Sequence, residues 1–190
     1  MKHTLTALLA LSLPAIAMAQ ANPLQSPAYK NCITLSNSNP TAALAKADEW
    51  LAMDAGVSPQ HCRAMALYGL RRYAEAADVL NIVHNQIPPE NVTLRTFITH
   101  QTASAWANAG RSDLALAAVD AMLLEIAPMR GNNANNSKLT SELLLERARI
   151  NLPFGKTPDV LRDLDHAVSL TPVNIEVLLE RAQAFELMGD

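Results

Sequence analysis

The sequence predicts an all-α fold: an α-solenoid of about four antiparallel helix hairpins stacked side by side. Three observations lead there. Capping residues stand before prolines at several points, marking helix starts. Apolar residues between those points recur every three or four positions, as in Leu114, Ala118, Val119, Met122 and Leu123, and no alternating stretch rich in Val, Ile and Thr is present. A small residue, a turn glycine and a proline then return in the same order along the chain.

The elements follow in order. Met1-Lys2-His3 precedes an apolar run from Leu5 to Met18, and Ala17-Met18-Ala19 precedes Gln20. A positive start, a short apolar middle and a small-x-small end predict a signal peptide over 1–19, cleaved after Ala19. The run is too short for a transmembrane anchor, which needs ~20 apolar residues. The expected compartment is a bacterial periplasm, and a short tail follows over 20–25. Ser26-Pro27, Asn39-Pro40, Ser58-Pro59 and Thr157-Pro158 each place a capping side chain before a proline, and Ser112-Asp113 is a further start. The expected helices lie near 27–36, 40–54, 59–71, 73–86, 93–109, 113–126, 139–152, 158–170 and 175–188, joined by short connections. The polar run from Gly131 to Ser137 is expected to be an exposed loop.

Composition narrows the function. Hydrophobic residues make up 49% of the chain and aromatics only 4%, which suits closely packed helices with small side chains. The net charge is −3 and no basic cluster is present, so nothing favours nucleic acid, whose binding rests on phosphate neutralisation. The two cysteines, Cys32 and Cys62, both lie in the mature part. An even count in an exported chain predicts a structural disulfide, and the wide spacing speaks against a redox-active pair.

The repeat is the strongest signal. Ala64, Tyr73-Ala74-Glu75-Ala76, Leu80, Val83 and Pro88 are followed by Ala103, Trp106, Gly110, Leu114-Ala115, Val119, Met122 and Pro128. Ala148, Gly155, Val160, Leu164, Ala167 and Pro172 come next, then Ala182, Phe185 and Gly189. Ala148 to Ala182 and Gly155 to Gly189 are both steps of 34 residues; the earlier steps, Ala64 to Ala103 and Ala103 to Ala148, are 39 and 45. A small residue on the first helix lets the second approach closely, and a permissive turn residue joins the two. One hairpin cannot bury its apolar face alone, so units stack.

This pattern resembles the tetratricopeptide repeat family from about Ser58 to Asp190, with units at 58–90, 95–128 and 138–172 and a partial unit at 173–190. Residues 26–57 read as a degenerate hairpin, on the strength of Ala43, Leu44, Ala47 and Trp50. Arg71 stands where the first turn glycine is expected, Val160 replaces an alanine, and Pro153 should fray the end of its helix. Residues 175–188 read as a first helix with Leu178, Leu179, Ala182 and Phe185 as its apolar stripe, and Gly189-Asp190 as the turn toward a second. The alternative is a lone capping helix with Glu176, Glu180 and Glu186 facing solvent.

Enzymatic motifs are lacking: no Gly-rich phosphate loop, nucleophile elbow or His-Glu-x-x-His helix is found. The acidic pairs Asp163/Asp165 and Asp48/Glu49 read as solvated faces, and Trp50 and Trp106 as core. Asn91-Val92-Thr93 matches a glycosylation acceptor. No cofactor or metal is expected: His61 and His100 occupy equivalent places, but too few ligands surround them. The resemblance implies a protein or peptide partner held in the groove lined by the first helix of each unit. The matching residues are His61, Met65, Tyr68, His100, Ser104, Asn108, Arg149, Gln183 and Glu186. A protein-interaction scaffold is therefore expected rather than an enzyme, the alternative being an architectural repeat domain of a longer chain.

Overall fold

The computed structural model describes residues 22–188 apart from residues 55, 130–133 and 156. The expected signal peptide, the start of the Asn-rich run and Gly189-Asp190 lie outside the described residues. Within them the chain forms nine α-helices and no strand: α1 (Pro27–Ser38), α2 (Pro40–Leu51), α3 (Val57–Gly69), α4 (Tyr73–Gln86), α5 (Val92–Asn108), α6 (Ser112–Ile126), α7 (Ala134–Asn151), α8 (Thr157–Leu170) and α9 (Ile175–Met188). Each helix packs on the next, and α1 also meets α3, α5 meets α7 and α7 meets α9. None of the described helices is long and apolar enough to cross a membrane.

The helix starts show which caps the chain uses. Ser26 accepts from the Tyr29 amide and Asn39 from the Ala42 amide, each ahead of a proline in the first turn. Asn91, read from sequence only as a glycosylation acceptor, caps α5 by accepting from the Leu94 amide. Ser58 does not cap. The helix begins at Val57 after Gly56, and the Ser58 hydroxyl instead donates to the Pro23 carbonyl, tying down the N-terminal 3₁₀ turn. Ser112 is likewise inside α6, whose preceding residue, Arg111, pairs with Asp113. The run expected to be a loop over 131–137 shortens at its end, because Ala134 to Ser137 form the first turn of α7. Helix propagation back from the buried Leu139, Leu143, Leu144 and Leu145 costs little once nucleated, so poor helix formers are drawn in.

The turns keep the repeat register more strictly than the residue types do. Gly110 and Gly155 take left-handed backbone with φ of 73° and 67°, and Arg71 takes φ of 59°. Arg71 is therefore the counterpart of the glycines in conformation as well as position. Its amide donates to the Tyr68 carbonyl and the Arg72 amide to that of Leu67, as the Gly110 and Arg111 amides do to Ala107 and Trp106. Pro153 has the expected effect: α7 stops at Asn151 and a 3₁₀ turn carries the chain to Gly155.

Small residues form the seam. Ala64, Ala103 and Ala148 are buried on α3, α5 and α7, and their opposite numbers Ala76, Ala115 and Val160 are buried on α4, α6 and α8. Leu67, Leu80, Ile98, Val119 and Leu143 fill the space between α3 and α7 as one core, and Ala148 and Val160 belong to a second core shared by α7, α8 and α9. Trp106 belongs to the first core, and Trp50 is half-buried against it. On α9 the seam stops. Val177 and Ala184 are buried, whereas Leu178, Leu179 and Ala182 of the expected apolar stripe are exposed.

One acidic pair departs from expectation. Asp48 and Glu49 are exposed, but Asp163 is 7% exposed and receives two bonds from Arg147, at 2.8 and 2.6 Å. A carboxylate so placed is held by its guanidinium partner, which sixteen residues of sequence separation conceals.

Cys32 of α1 and Cys62 of α3 form a buried disulfide with Cα atoms 5.9 Å apart, packed against Ala47 and Trp50 of α2. It joins the first helices of two adjacent hairpins. Closing a loop of 30 residues removes unfolded-state entropy worth about 3–4 kcal/mol. Urea unfolding of a Cys32→Ser/Cys62→Ser variant should show a loss of that size relative to the oxidised protein. Arg71→Gly should act in the opposite direction. An L-residue in left-handed backbone costs about 1–2 kcal/mol, and the extra unfolded-state freedom of glycine offsets part of the relief. A gain of about 0.5–1 kcal/mol in the same assay is expected, with no gain from Arg72→Gly.

Candidate partner-binding surface

The first helices of three hairpins bring their predicted residues together. Helical spacing places Met65 and Tyr68 on α3, His100, Ser104 and Asn108 on α5, and Arg149 on α7 along one face. A depression of about 410 Å³ is lined by Met65, Tyr68, His100, Gln101, Ser104 and Glu146. A second, of about 300 Å³, shares Ser104 and Glu146 and continues past Asn108 and Arg149 to Phe154. The two form one continuous surface across α3, α5 and α7.

Its polar groups are already arranged. The Asn108 amide donates to the Tyr68 hydroxyl at 2.9 Å and to the Ser104 carbonyl at 2.8 Å. The Tyr68 and Ser104 hydroxyls lie 3.1 Å apart, and the Tyr68 ring sits edge-on to Tyr73 at 5.0 Å. His100 Nδ1 lies 3.9 Å from a Glu146 oxygen. The tyrosine is thus fixed in place, half-buried at the wall of the depression, a low-entropy anchor for a ligand.

Two of the predicted residues play other parts. His61 is 1% exposed and presents nothing to a partner. Its Nδ1 accepts from the Tyr29 hydroxyl at 2.9 Å and its Nε2 donates to the Gln101 side-chain oxygen at 2.6 Å. The reason is the extra hairpin: α1 packs over α3 and covers the ring, a contact the α3 sequence alone does not announce. His61 therefore supports the surface from below by orienting Gln101. Arg149 is not a free cation either. Its Nη2 reaches Glu176 at 2.8 Å and its Nε reaches Glu180 at 2.7 Å, so it ties α9 to α7. Gln183 and Glu186 are exposed on α9 and line neither depression.

Sequence reasoning missed Gln101, Glu146 and Phe154. Glu146 lies one turn before Arg149, and Gln101 is one position from His100, so both were within reach of helical spacing. Phe154, 59% exposed, is placed by the 3₁₀ turn that Pro153 imposes, which no periodicity encodes. The electrostatics lean negative, with Glu146, Glu176 and Glu180 grouped around the single guanidinium of Arg149. Among the described residues, no group of three or more His, Cys, Asp or Glu side chains is placed to hold a metal ion.

Solved structures share this architecture. Nearly identical TPR-like repeats of a kinesin light chain type from Podospora anserina superpose with a TM-score of 0.65 at 17% identity, covering 85% of each chain. The fold is a tetratricopeptide-repeat solenoid. A thermophilic TPR protein of Thermus thermophilus gives a TM-score of 0.60 at 17% identity over 83% of this chain and 79% of its own. MamA from Desulfovibrio magneticus gives 0.52 at 18% identity, covering 85% of this chain and 91% of its own. No family model matches the sequence, and no curated protein matches it. The tetratricopeptide likeness is one of fold, carried by the seam alanines and the left-handed turns rather than by sequence identity.

The buried imidazole gives the solenoid a pH dependence. Burial pushes the His61 pKa below the usual histidine range, against the opposing hydrogen bond that His61 donates to Gln101, and pushes the Tyr29 hydroxyl up to about 12. Burial, followed by the Arg95 charge, lowers that of His84 as well. The folded chain refuses a proton that the unfolded chain takes near pH 6.5, so this contribution is complete above that pH and is lost as pH falls. Unfolding midpoints should therefore decline between about pH 7 and 5. His61→Asn should be less stable at pH 7.5 yet show a shallower decline, and proton NMR should place the His61 titration below the ordinary histidine range.

Proposed function

We propose that this chain is an exported, non-catalytic adaptor that holds a peptide segment of a partner protein against the surface formed by α3, α5 and α7. The observation that carries the reading is the continuous depression lined by Met65, Tyr68, His100, Gln101, Ser104 and Glu146. It offers an anchored aromatic ring, a thioether and hydrogen-bonding groups, a mixture suited to gripping main chain and one or two side chains of an extended segment. Around the lone guanidinium stand three carboxylates, so the segment that fits is basic or neutral. A periplasmic setting is supported by the signal-peptide pattern over 1–19 and by a buried cysteine pair, which suits an oxidising compartment.

Affinity capture from an extract of the exported proteins of the source cells, read by mass spectrometry, tests this. Met65→Glu and Glu146→Lys should each weaken capture by about tenfold or more, the loss of one well-buried contact or charge pair. Helical circular dichroism should stay unchanged. Capture that survives both substitutions would move the site elsewhere. Arg149→Glu is a poor test, because the new acid would face Glu176 and Glu180 and loosen α9 whether or not a partner binds.

A further inference from the structure

A seven-residue stretch occurs twice at the interval of one repeat. Glu142-Leu143-Leu144-Leu145-Glu146-Arg147-Ala148 of α7 and Glu176-Val177-Leu178-Leu179-Glu180-Arg181-Ala182 of α9 differ only at the second position. The two copies meet different fates. Leu144, Leu145 and Ala148 are 3%, 4% and 2% exposed, in one cluster with Val160, Leu164 and Ala167 of α8. Leu178 and Leu179 are 40% and 66% exposed and Ala182 is exposed, with Ile175 at 72% extending the same stripe one turn earlier. The innermost residues agree: Leu143 and Val177 are both fully buried. The face that α8 covers on α7 is thus reproduced, bare, on α9.

The charges repeat in the same way. Arg147 bridges two helices, bonding Asp120 of α6 at 2.7 Å and Asp163 of α8 through two nitrogens. Arg181 bonds Asp165 of α8 at 2.6 Å, and its guanidinium lies 5.1 Å from the Phe185 ring centre. Asp120 and Asp165 are counterparts, each ten residues past its left-handed turn glycine, Gly110 or Gly155. Arg181 therefore holds the partner behind it, and among the described residues nothing occupies the place that Asp163 takes beside Arg147.

We propose that the open face of α9 docks an amphipathic helix of a partner protein, packed as α8 packs on α7. The occupant carries aliphatic and small residues in the spacing of Val160, Leu164 and Ala167, and a carboxylate at the position of Asp163 that completes the Arg181 pair. Its chemistry is fixed by the duplication: a face already matched once inside the molecule by a helix of known sequence selects a second helix of that kind. The site is separate from the α3–α5–α7 surface, so either reading stands or falls without the other.

A synthetic peptide of residues 157–171 is the natural probe, titrated into the whole mature chain and followed by fluorescence anisotropy. The peptide should bind one to one, and Leu179→Asp in the protein should abolish binding while circular dichroism and capture through the α3–α5–α7 surface persist. A double-mutant cycle isolates the charge pair. Asp163→Asn in the peptide should weaken binding about three- to tenfold on the natural protein and not at all on the Arg181→Gln protein. No binding at millimolar peptide, or binding indifferent to Leu179→Asp, would overturn the proposal. So would sedimentation showing a dimer that Leu179→Asp dissociates, which assigns the face to a second copy. Carbene footprinting of a monomeric, peptide-free protein that leaves Leu178 and Leu179 unlabelled would assign the face to the chain itself.

Discussion

The close approach of first and second helices at the alanine seam is the constraint on which everything else rests. Ala64, Ala103 and Ala148 have no exposed surface to speak of, and each faces a small or β-branched partner on the returning helix. A longer side chain at any of them would push its hairpin apart. Because each hairpin also forms the wall for the next, the displacement would propagate along the stack. The left-handed turns serve the same end: they return the second helix at the angle that lets the seam close. That the chain accepts Arg71 in such a turn shows how strongly packing on both sides dictates the backbone between.

The alternation of apolar faces and the turn glycines made the helix order legible in the sequence, and α4 and α9 keep the bounds read there, Tyr73–Gln86 and Ile175–Met188. What periodicity could not convey was how elements distant in sequence cover one another. His61 has the spacing of a surface residue on α3, and α1 and α5 packing over it together bury it. Asp163 has the flanks of a solvated residue, and only Arg147 across the hairpin claims it. Met65, Tyr68, His100, Ser104 and Asn108 of α3 and α5 were found from repeat register, because that register transfers between units, while Gln101 was missed. Phe154 and Glu146 were not found: a proline-directed turn sets the direction of the first, whereas the second stands one turn before Arg149 on α7 and was within reach of helical spacing.

Polar side chains in this molecule mostly join helices to one another. Tyr68, Ser104 and Asn108 lace α3 to α5, Arg149 laces α7 to α9, and Arg95 reaches from α5 to Glu125 of α6 while also capping the His84 and Ile87 carbonyls. A surface built from groups that already satisfy one another is pre-organised: a ligand placed there would find its hydrogen-bonding partners in place and would not have to order them. Such a surface tolerates little repacking, so its selectivity falls on shape and on the sign of charge.

The Cys32–Cys62 bond also gives the solenoid a direction. In a stack each unit is held by its neighbours, and α1 and α9 are held very differently here. At one, a covalent cross-link, a buried Tyr29–His61 contact and the Ser58 tether hold the terminal hairpin shut. At the other, α9 is retained by two buried apolar side chains and a few exposed ion pairs. Local opening is therefore expected to cost less at α9 than at α1. A helix settling on α9 would restrain that helix and its nearest neighbours and leave the stapled half unchanged.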